Sequence, residues 1–354
     1  MSKEVKVNSE KLRQLCMSIF IKAGLSKEDA FTVSDSLVFA NLRGVDSHGV
    51  MRLPIYVKRI EKGGSKAKPN IKVLKNRPAS ALVDGDSGMG QVIGMYAAEL
   101  AIKKAKEAGI CFVGVKGSAH FGAASYYSVK IAQEGLIGFS TANTTQNTAA
   151  WGGAKKVIGN DPLSIAVPYQ DGKPLVLDIS MSQAAGGKIK LAAKNNQKVP
   201  FGWGIDKFGK NTEDPNQITD GGARLPFGEH KGYGLAVVLE ILNGVLTGAD
   251  MLSQITSWSK YPENPTNLGH CFAAIDITSF MDIKEFKQRL EWFVSEVKSS
   301  PLMEGSRGIF MPGELELAIE EERRENGIPV SEKVWLDLLE VSKTYHEEIS
   351  CLKS

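Results

Sequence analysis

The chain has only four cysteines, Cys16, Cys111, Cys271 and Cys351, and no Cys-x-x-Cys pair among them. That spacing argues against a zinc site or a disulfide scaffold and fits a reducing compartment. A charge excess is missing as well: 43 basic residues stand against 40 acidic ones, a formal +3. So small and interleaved a balance makes neither nucleic acid nor an anionic membrane the expected partner. No apolar run is long enough to span a bilayer; the most apolar helix candidate, 234–246, is short and contains Glu240. The first residues carry no apolar signal core, so a cytoplasmic location is expected. Cys351-Leu352-Lys353-Ser354 superficially resembles a prenylation box, but Lys353 stands where an aliphatic residue is wanted. Repeats and low-complexity tracts are also lacking. What remains is a 354-residue chain, 42% hydrophobic and 23% charged, long enough for two lobes and suited to small-molecule partners.

Polar starters and glycine stops mark three helices near the N-terminus, over 9–23, 26–43 and 47–62. The first aligns Leu12, Leu15, Cys16 and Ile19 on one face. The stretch 64–78, with lysines, two prolines and little periodicity, reads as a crossing between lobes. From Ser80 strands and helices alternate: strands at 81–83, 110–115 and 136–141, helices at 91–108 and 123–133. Strands 163–168 and 175–179 then flank a Gln-Asp-Gly-Lys hairpin turn, which makes the sheet mixed. Helices 184–194, 231–246 and 283–297 and a strand at 271–277 follow, with a Gly/Asn/Asp-rich loop over 198–228. The end is helical, 314–326 and 332–347. The fold class is therefore α/β (α+β). A helical lobe built from both termini (1–78 with 314–354) brackets a mixed-sheet α/β lobe (79–313).

Two motifs carry chemistry. Gly88-Met89-Gly90-Gln91-Val92-Ile93-Gly94 follows a strand and opens a helix, as a dinucleotide fingerprint does. Its last spacing is one residue too long, however, and Val115 is followed by Lys116 and Gly117 rather than an acid, so a doubly wound Rossmann fold is not expected. Asp46-Ser47-His48-Gly49-Val50-Met51-Arg52 is more telling. A cap at Asp46 or Ser47 would start a helix, placing His48 and Arg52 at i and i+4 on one face near a positive helix end. An imidazole beside a guanidinium suits a small carboxylate that must also exchange a proton. Standing alone, the pair would read as a cap followed by exposed basic residues.

It does not stand alone. That segment, Gly117-Ser118-Ala119-His120-Phe121-Gly122, Trp151-Gly152-Gly153, Leu177-Asp178-Ile179-Ser180-Met181-Ser182, His230-Lys231-Gly232-Tyr233-Gly234 and Met311-Pro312-Gly313-Glu314 occur in this order. Together, over residues 9–345, they resemble the malate/L-lactate dehydrogenase family, a non-Rossmann group that includes ureidoglycolate dehydrogenase and 2,3-diketogulonate reductase. The resemblance implies NAD- or NADP-dependent interconversion of a 2-oxo acid and a 2-hydroxy acid, usually by a homodimer. It implies His48 or His120 as the proton donor and Arg52 as the carboxylate clamp, roles that suit an imidazole and a planar guanidinium. Asp178, Ile179, Ser180, Met181 and Ser182, with His230, Lys231, Gly232, Gly313 and Glu314, are implied to hold the cofactor; His230-Lys231-Gly232 opens a helix whose free amides suit phosphate. No metal is implied. His270 and His346 read as structural. Gly159-Asn160-Asp161-Pro162 departs from the family's usual Gly-Thr-Asn-Pro by adding a carboxylate. Ala185-Gly186-Gly187-Lys188 lacks the arginine that many malate-type members carry, which points away from malate. A cyclic imino acid as substrate, or a nucleotide-binding protein without turnover, are the alternatives.

Overall fold

A computed structural model describes residues 4–349; Cys351 and its prenylation-like neighbours lie outside them. Strand Glu4–Val7 pairs antiparallel with Ile328–Ser331, so the two ends of the described chain meet. Around that ribbon, helices Ser9–Lys22, Lys27–Leu42, Leu53–Glu61 and Glu332–Thr344 enclose Leu12, Ile19, Phe20, Leu37, Leu53 and Leu338, all fully buried. The helix starts follow sequence logic: Asn8 accepts from the amides of Glu10 and Lys11, and Ser26 from that of Asp29.

The centre is a seven-stranded sheet in the order Lys72–Arg77, Ser80–Asp84, Ile110–Ser118, Leu268–Asp276, Leu136–Ala142, Leu163–Val167, Leu175–Ile179. Only the second and third strands of that order run parallel; every other neighbour is antiparallel. A doubly wound parallel sheet is excluded by that pairing. Helices Gly90–Ala108 and Ser125–Gln133 pack on it through Ile93, Ala97, Ala101, Ala105, Tyr127 and Ile131 against Val113, Val115 and Phe272. The alanines let the longer helix lie close to the strands.

Three expectations need correction. The stretch 64–78 contains an edge strand, Lys72–Arg77, with every residue exposed; an edge strand studded with Lys72, Lys75 and Arg77 has no buried face to show as alternation. The third helix starts at Leu53 rather than 47, preceded by two 3-10 turns, Asp46–His48 and Val50–Arg52. Gly49 stands extended between them, and a Cβ there would come within 2.2 Å of the Asn41 side chain, so only glycine lets Asn41 reach this backbone. Pro54 then fits the first turn of the helix, where its missing N–H is not needed. Helix His230–Glu240 continues as a π-helical turn, Ile241–Val245. The loop expected over 198–228 holds helix Pro215–Thr219 and strands Gly204–Ile205 and Ala223–Arg224, part of a small four-stranded sheet. No helix among the described residues is long and apolar enough to cross a membrane.

Candidate active site

His48 and Arg52 do not share a helix face, because the backbone between them is two 3-10 turns. They converge nonetheless. Asp46 caps nothing; its carboxylate takes the Arg323 guanidinium (2.7 and 3.1 Å) and the Asn41 amide (2.6 Å). Asn41 in turn accepts from the Val50 amide at 2.8 Å. The turn bearing His48 is thus tied to the second helix and to the helix Glu314–Asn326. Arg52 donates Nε to the Ser47 carbonyl at 2.7 Å, and its guanidinium lies 5.3 Å above the Trp258 ring. Among the described residues no carboxylate pairs with it, so its terminal amino groups remain available to an anion.

His120 completes the cluster from the far side. Its ring stacks on Trp258 at 4.5 Å and on His48 at 5.5 Å, and Nδ1 lies 2.7 Å from the Tyr56 hydroxyl. Tyr56 and Trp258 are not singled out by the sequence motifs. Tyr56 stands one helical turn beyond Arg52, a spacing that could have flagged it; Trp258 lies in a loop without local signal. Buried Arg59 anchors that loop, donating to the carbonyls of Trp258 (2.9 Å), Gly64 (2.6 Å) and Asn264 (3.2 Å). His270 is structural as expected: its Nε2 lies 2.8 Å from the Ser118 hydroxyl and its ring stacks on Phe121 at 4.5 Å, bracing the loop before His120.

The imidazoles do not titrate in the ordinary range. Burial of the ring, followed by the positive charge of Arg52, pulls His48 down to about 4. Burial, then the neighbouring His48 and Arg52, hold His120 well below its usual value. Both are neutral near pH 7. Tyr56 is pushed up to about 12, chiefly by burial, and keeps its proton. The cluster is a positively biased group of two neutral imidazoles and a guanidinium whose terminal nitrogens have no partner among the described residues.

The residues expected at the cofactor form a second group. Met181 is fully buried and both of its backbone groups are used, its N–H by the Asn160 carbonyl (2.8 Å) and its carbonyl by the Phe227 N–H (3.2 Å); it serves as a fixed support. Ser180 and Ser182 have hydroxyls 3.3 Å apart, and Ser182 also accepts from Arg224 at 3.3 Å. Asp178 accepts from the Ser125 amide at 3.2 Å, and Ile179 is half-buried on the same strand. His230 and Lys231 are exposed at their helix start, with buried Gly232 behind them. Gly228 and Glu229 both take positive φ, 54° and 59°, a strained turn for a glutamate that swings the chain into the helix. No atom lies within 4 Å of the positions Cβ atoms would take at Gly228 and Gly234, so the backbone there is open to a phosphate. Gly313 and Glu314 have a structural use. The Pro312 carbonyl accepts from the Val176 amide at 2.9 Å, and Glu314 caps Met311 at 2.9 Å.

Arg224 also lies here. Its guanidinium is 3.5 Å from where a Cβ of Gly186 would stand, has no acid partner among the described residues, and is lowered to about 10 by burial. A guanidinium borne on strand Ala223–Arg224 thus stands beside the helix start that lacks the arginine many malate-type sequences carry.

The family described as malate/L-lactate dehydrogenase matches residues 7–339. The chain is 39% identical over 350 residues to a malate dehydrogenase of Pyrococcus horikoshii, covering 96% of this chain and 95% of that one. The solved structure of malate dehydrogenase from that organism superposes with a TM-score of 0.90 over 98% of both chains at 36% identity. An L-sulfolactate dehydrogenase of Methanocaldococcus jannaschii is 37% identical over 332 residues, 94% of this chain and 95% of that one. A solved delta1-piperideine-2-carboxylate reductase from Pseudomonas syringae pvar. tomato superposes with a TM-score of 0.84 at 29% identity, covering 95% and 99%.

Proposed function

Because this chain belongs to the malate/L-lactate dehydrogenase family, we propose that it interconverts a small 2-hydroxy acid and the corresponding 2-oxo acid with NAD or NADP. The observation that carries this reading is the Arg52 fork, free of any carboxylate among the described residues, beside two neutral imidazoles. When bound, the nicotinamide accepts or supplies the hydride at C2. The protein does the rest. Arg52 holds the substrate carboxylate, which fixes C2 and its oxygen. In the oxidation, neutral His48 takes the hydroxyl proton as the hydride departs; in the reduction, the same proton returns to the carbonyl oxygen. The bound carboxylate offsets the charge of Arg52, so protonated His48 is less disfavoured in the complex than in the free protein. Ser180, Ser182, His230, Lys231 and the open backbone at Gly228 and Gly234 suit the polar edges and phosphates of the cofactor. A cytoplasmic, homodimeric enzyme is part of this reading.

For the substrate's far end we favour a second anionic group, as in malate, supported by Arg224 beside Gly186. The likeness to the piperideine carboxylate reductase favours a second reading, reduction of a cyclic imino acid, since a C=N bond needs the same hydride, proton and carboxylate clamp. The test is NADH and NADPH oxidation with pyruvate, oxaloacetate, 2,3-diketogulonate and cyclic imino acids. Arg52→Ala is expected to raise KM, by about 2–4 kcal/mol for a desolvated charge pair, and His48→Gln to lower chiefly kcat. Arg224→Leu is expected to weaken use of oxaloacetate roughly tenfold more than use of pyruvate, a difference of about 1.4 kcal/mol. Unaltered turnover in both the His48 and Arg52 variants would remove this site, and no turnover with any substrate would favour a nucleotide-binding protein.

A further inference from the structure

The Gly88-Met89-Gly90-Gln91 motif is not a dinucleotide fingerprint, yet it abuts the histidine cluster. A Cβ at Gly90 would come within 2.3 Å of the Ala119 carbonyl oxygen and 2.5 Å of that of His120. Only a glycine lets the start of helix Gly90–Ala108 press against the backbone that bears His120. The next residue, Gln91, is fully buried, and neither end of its amide has a hydrogen-bond partner among the described residues. A buried amide left unpaired is destabilising, which directs attention to what it faces. Its nitrogen lies 3.5 Å from where a Cβ of Gly122 would stand. It also lies near the Tyr56 hydroxyl, close enough to favour negative charge on that oxygen though short of a well-formed hydrogen bond. Tyr56 in turn is 1% exposed and 2.7 Å from His120 Nδ1.

We propose that Gln91 is a positioning residue that sets the tautomer of His120: its amide N–H is aimed at the Tyr56 oxygen, Tyr56 donates its hydroxyl proton to Nδ1, and His120 is left carrying its proton on Nε2. Active-site hydrogen bonds are commonly loose before substrate binds and tighten in the complex, which accounts for the open geometry at Gln91. On the proposed function, on which this last step rests, His120 is then a neutral N–H donor to the substrate's C2 oxygen. It stabilises charge developing there, while His48 exchanges the proton.

The chain has five histidines, few enough for nitrogen NMR on full-length protein labelled with 15N-histidine. At neutral pH the expected result is a His120 with a bare Nδ1 and a protonated Nε2. In Gln91→Leu the Tyr56 hydroxyl is released and the tautomers mix; in Tyr56→Phe Nδ1 loses its donor and the Nδ1–H form grows. Turnover in Gln91→Leu should fall about tenfold in kcat with KM nearly unchanged, the pattern of an interaction made in the transition state. A wild-type His120 protonated on Nδ1, a measurement that needs no variant, overturns the proposal. So does a tautomer that neither substitution moves. Either result leaves the hydroxy-acid reading standing, whereas the expected tautomer without turnover on any substrate would sink that reading alone.

Discussion

His48 fixes how the site answers to acid. The free protein holds it at about 4, so the oxidation, which needs the neutral imidazole, should show kcat/KM flat at neutral pH and falling below about pH 5, toward that value. Arg52 contributes to the depression by like charge. Replacing it with methionine removes the positive charge, raises the His48 value and moves the acid limb upward in pH; pH profiles of kcat/KM for both proteins check this. An unmoved limb would assign it to another group. The carboxylate added at Asp161 has a separate effect. Asp161 is fully buried and raised by burial and by Glu240, and Glu240 is itself raised by burial; Asp161 Oδ2 and Glu240 Oε2 each lack a hydrogen-bond partner among the described residues. One proton shared between the two carboxyls would satisfy both. A group raised on folding stabilises below its unfolded value and loses that contribution as pH climbs through the folded one. Asp161→Asn supplies a permanent donor and should flatten the decline in urea-unfolding stability as pH rises out of the ordinary carboxylate range; a decline as steep as in the wild type would contradict the shared proton.

At the scale of elements, close approach decides where glycine is required. A Cβ at Gly94 would lie 2.6 Å from the Tyr127 ring, so the motif's last glycine serves helix-to-helix packing. Gly94→Val should destabilise by about 1–3 kcal/mol through overpacking, read as a lowered midpoint in urea, with KM for the cofactor unchanged; a raised cofactor KM would restore the nucleotide role. The same scale shows what the sequence made legible. The first two helices, the mixed sheet and the hairpin 163–179 announced themselves through periodicity and turn residues. The strand 72–77 did not, because a fully exposed edge has no pattern, and the 3-10 turns at 46–52 did not, because Asn41 and Arg323, distant in sequence, impose them. His48, Arg52 and His120 were legible as a set through their motifs. Trp258 was not, since only the fold and the buried Arg59 carry it there.

For the whole molecule, the surface left by helix His230–Glu240 and its π-helical extension bears on assembly. Leu235, Val238, Ile241 and Val245 recur every three or four residues and are 41%, 53%, 48% and 57% exposed. That stripe faces out from an element whose opposite side packs Ala236 and Leu239 against Ile158 and Met181. Four large aliphatic side chains in a row exceed the scattered exposure normal on a monomer. A two-fold pairing of identical stripes would bury them with the same patch on both subunits. The stripe shares its helix with His230 and Lys231, so pairing would also stiffen the residues proposed to meet the cofactor's phosphates. The expected outcome is a dimer in sedimentation equilibrium and a monomer for the double variant Val238→Glu, Val245→Glu, because like charges brought together without counter-ions repel on burial. The monomer should keep its fold by circular dichroism yet bind cofactor more weakly, by a factor of about ten. A variant that remains dimeric would place the contact on another face.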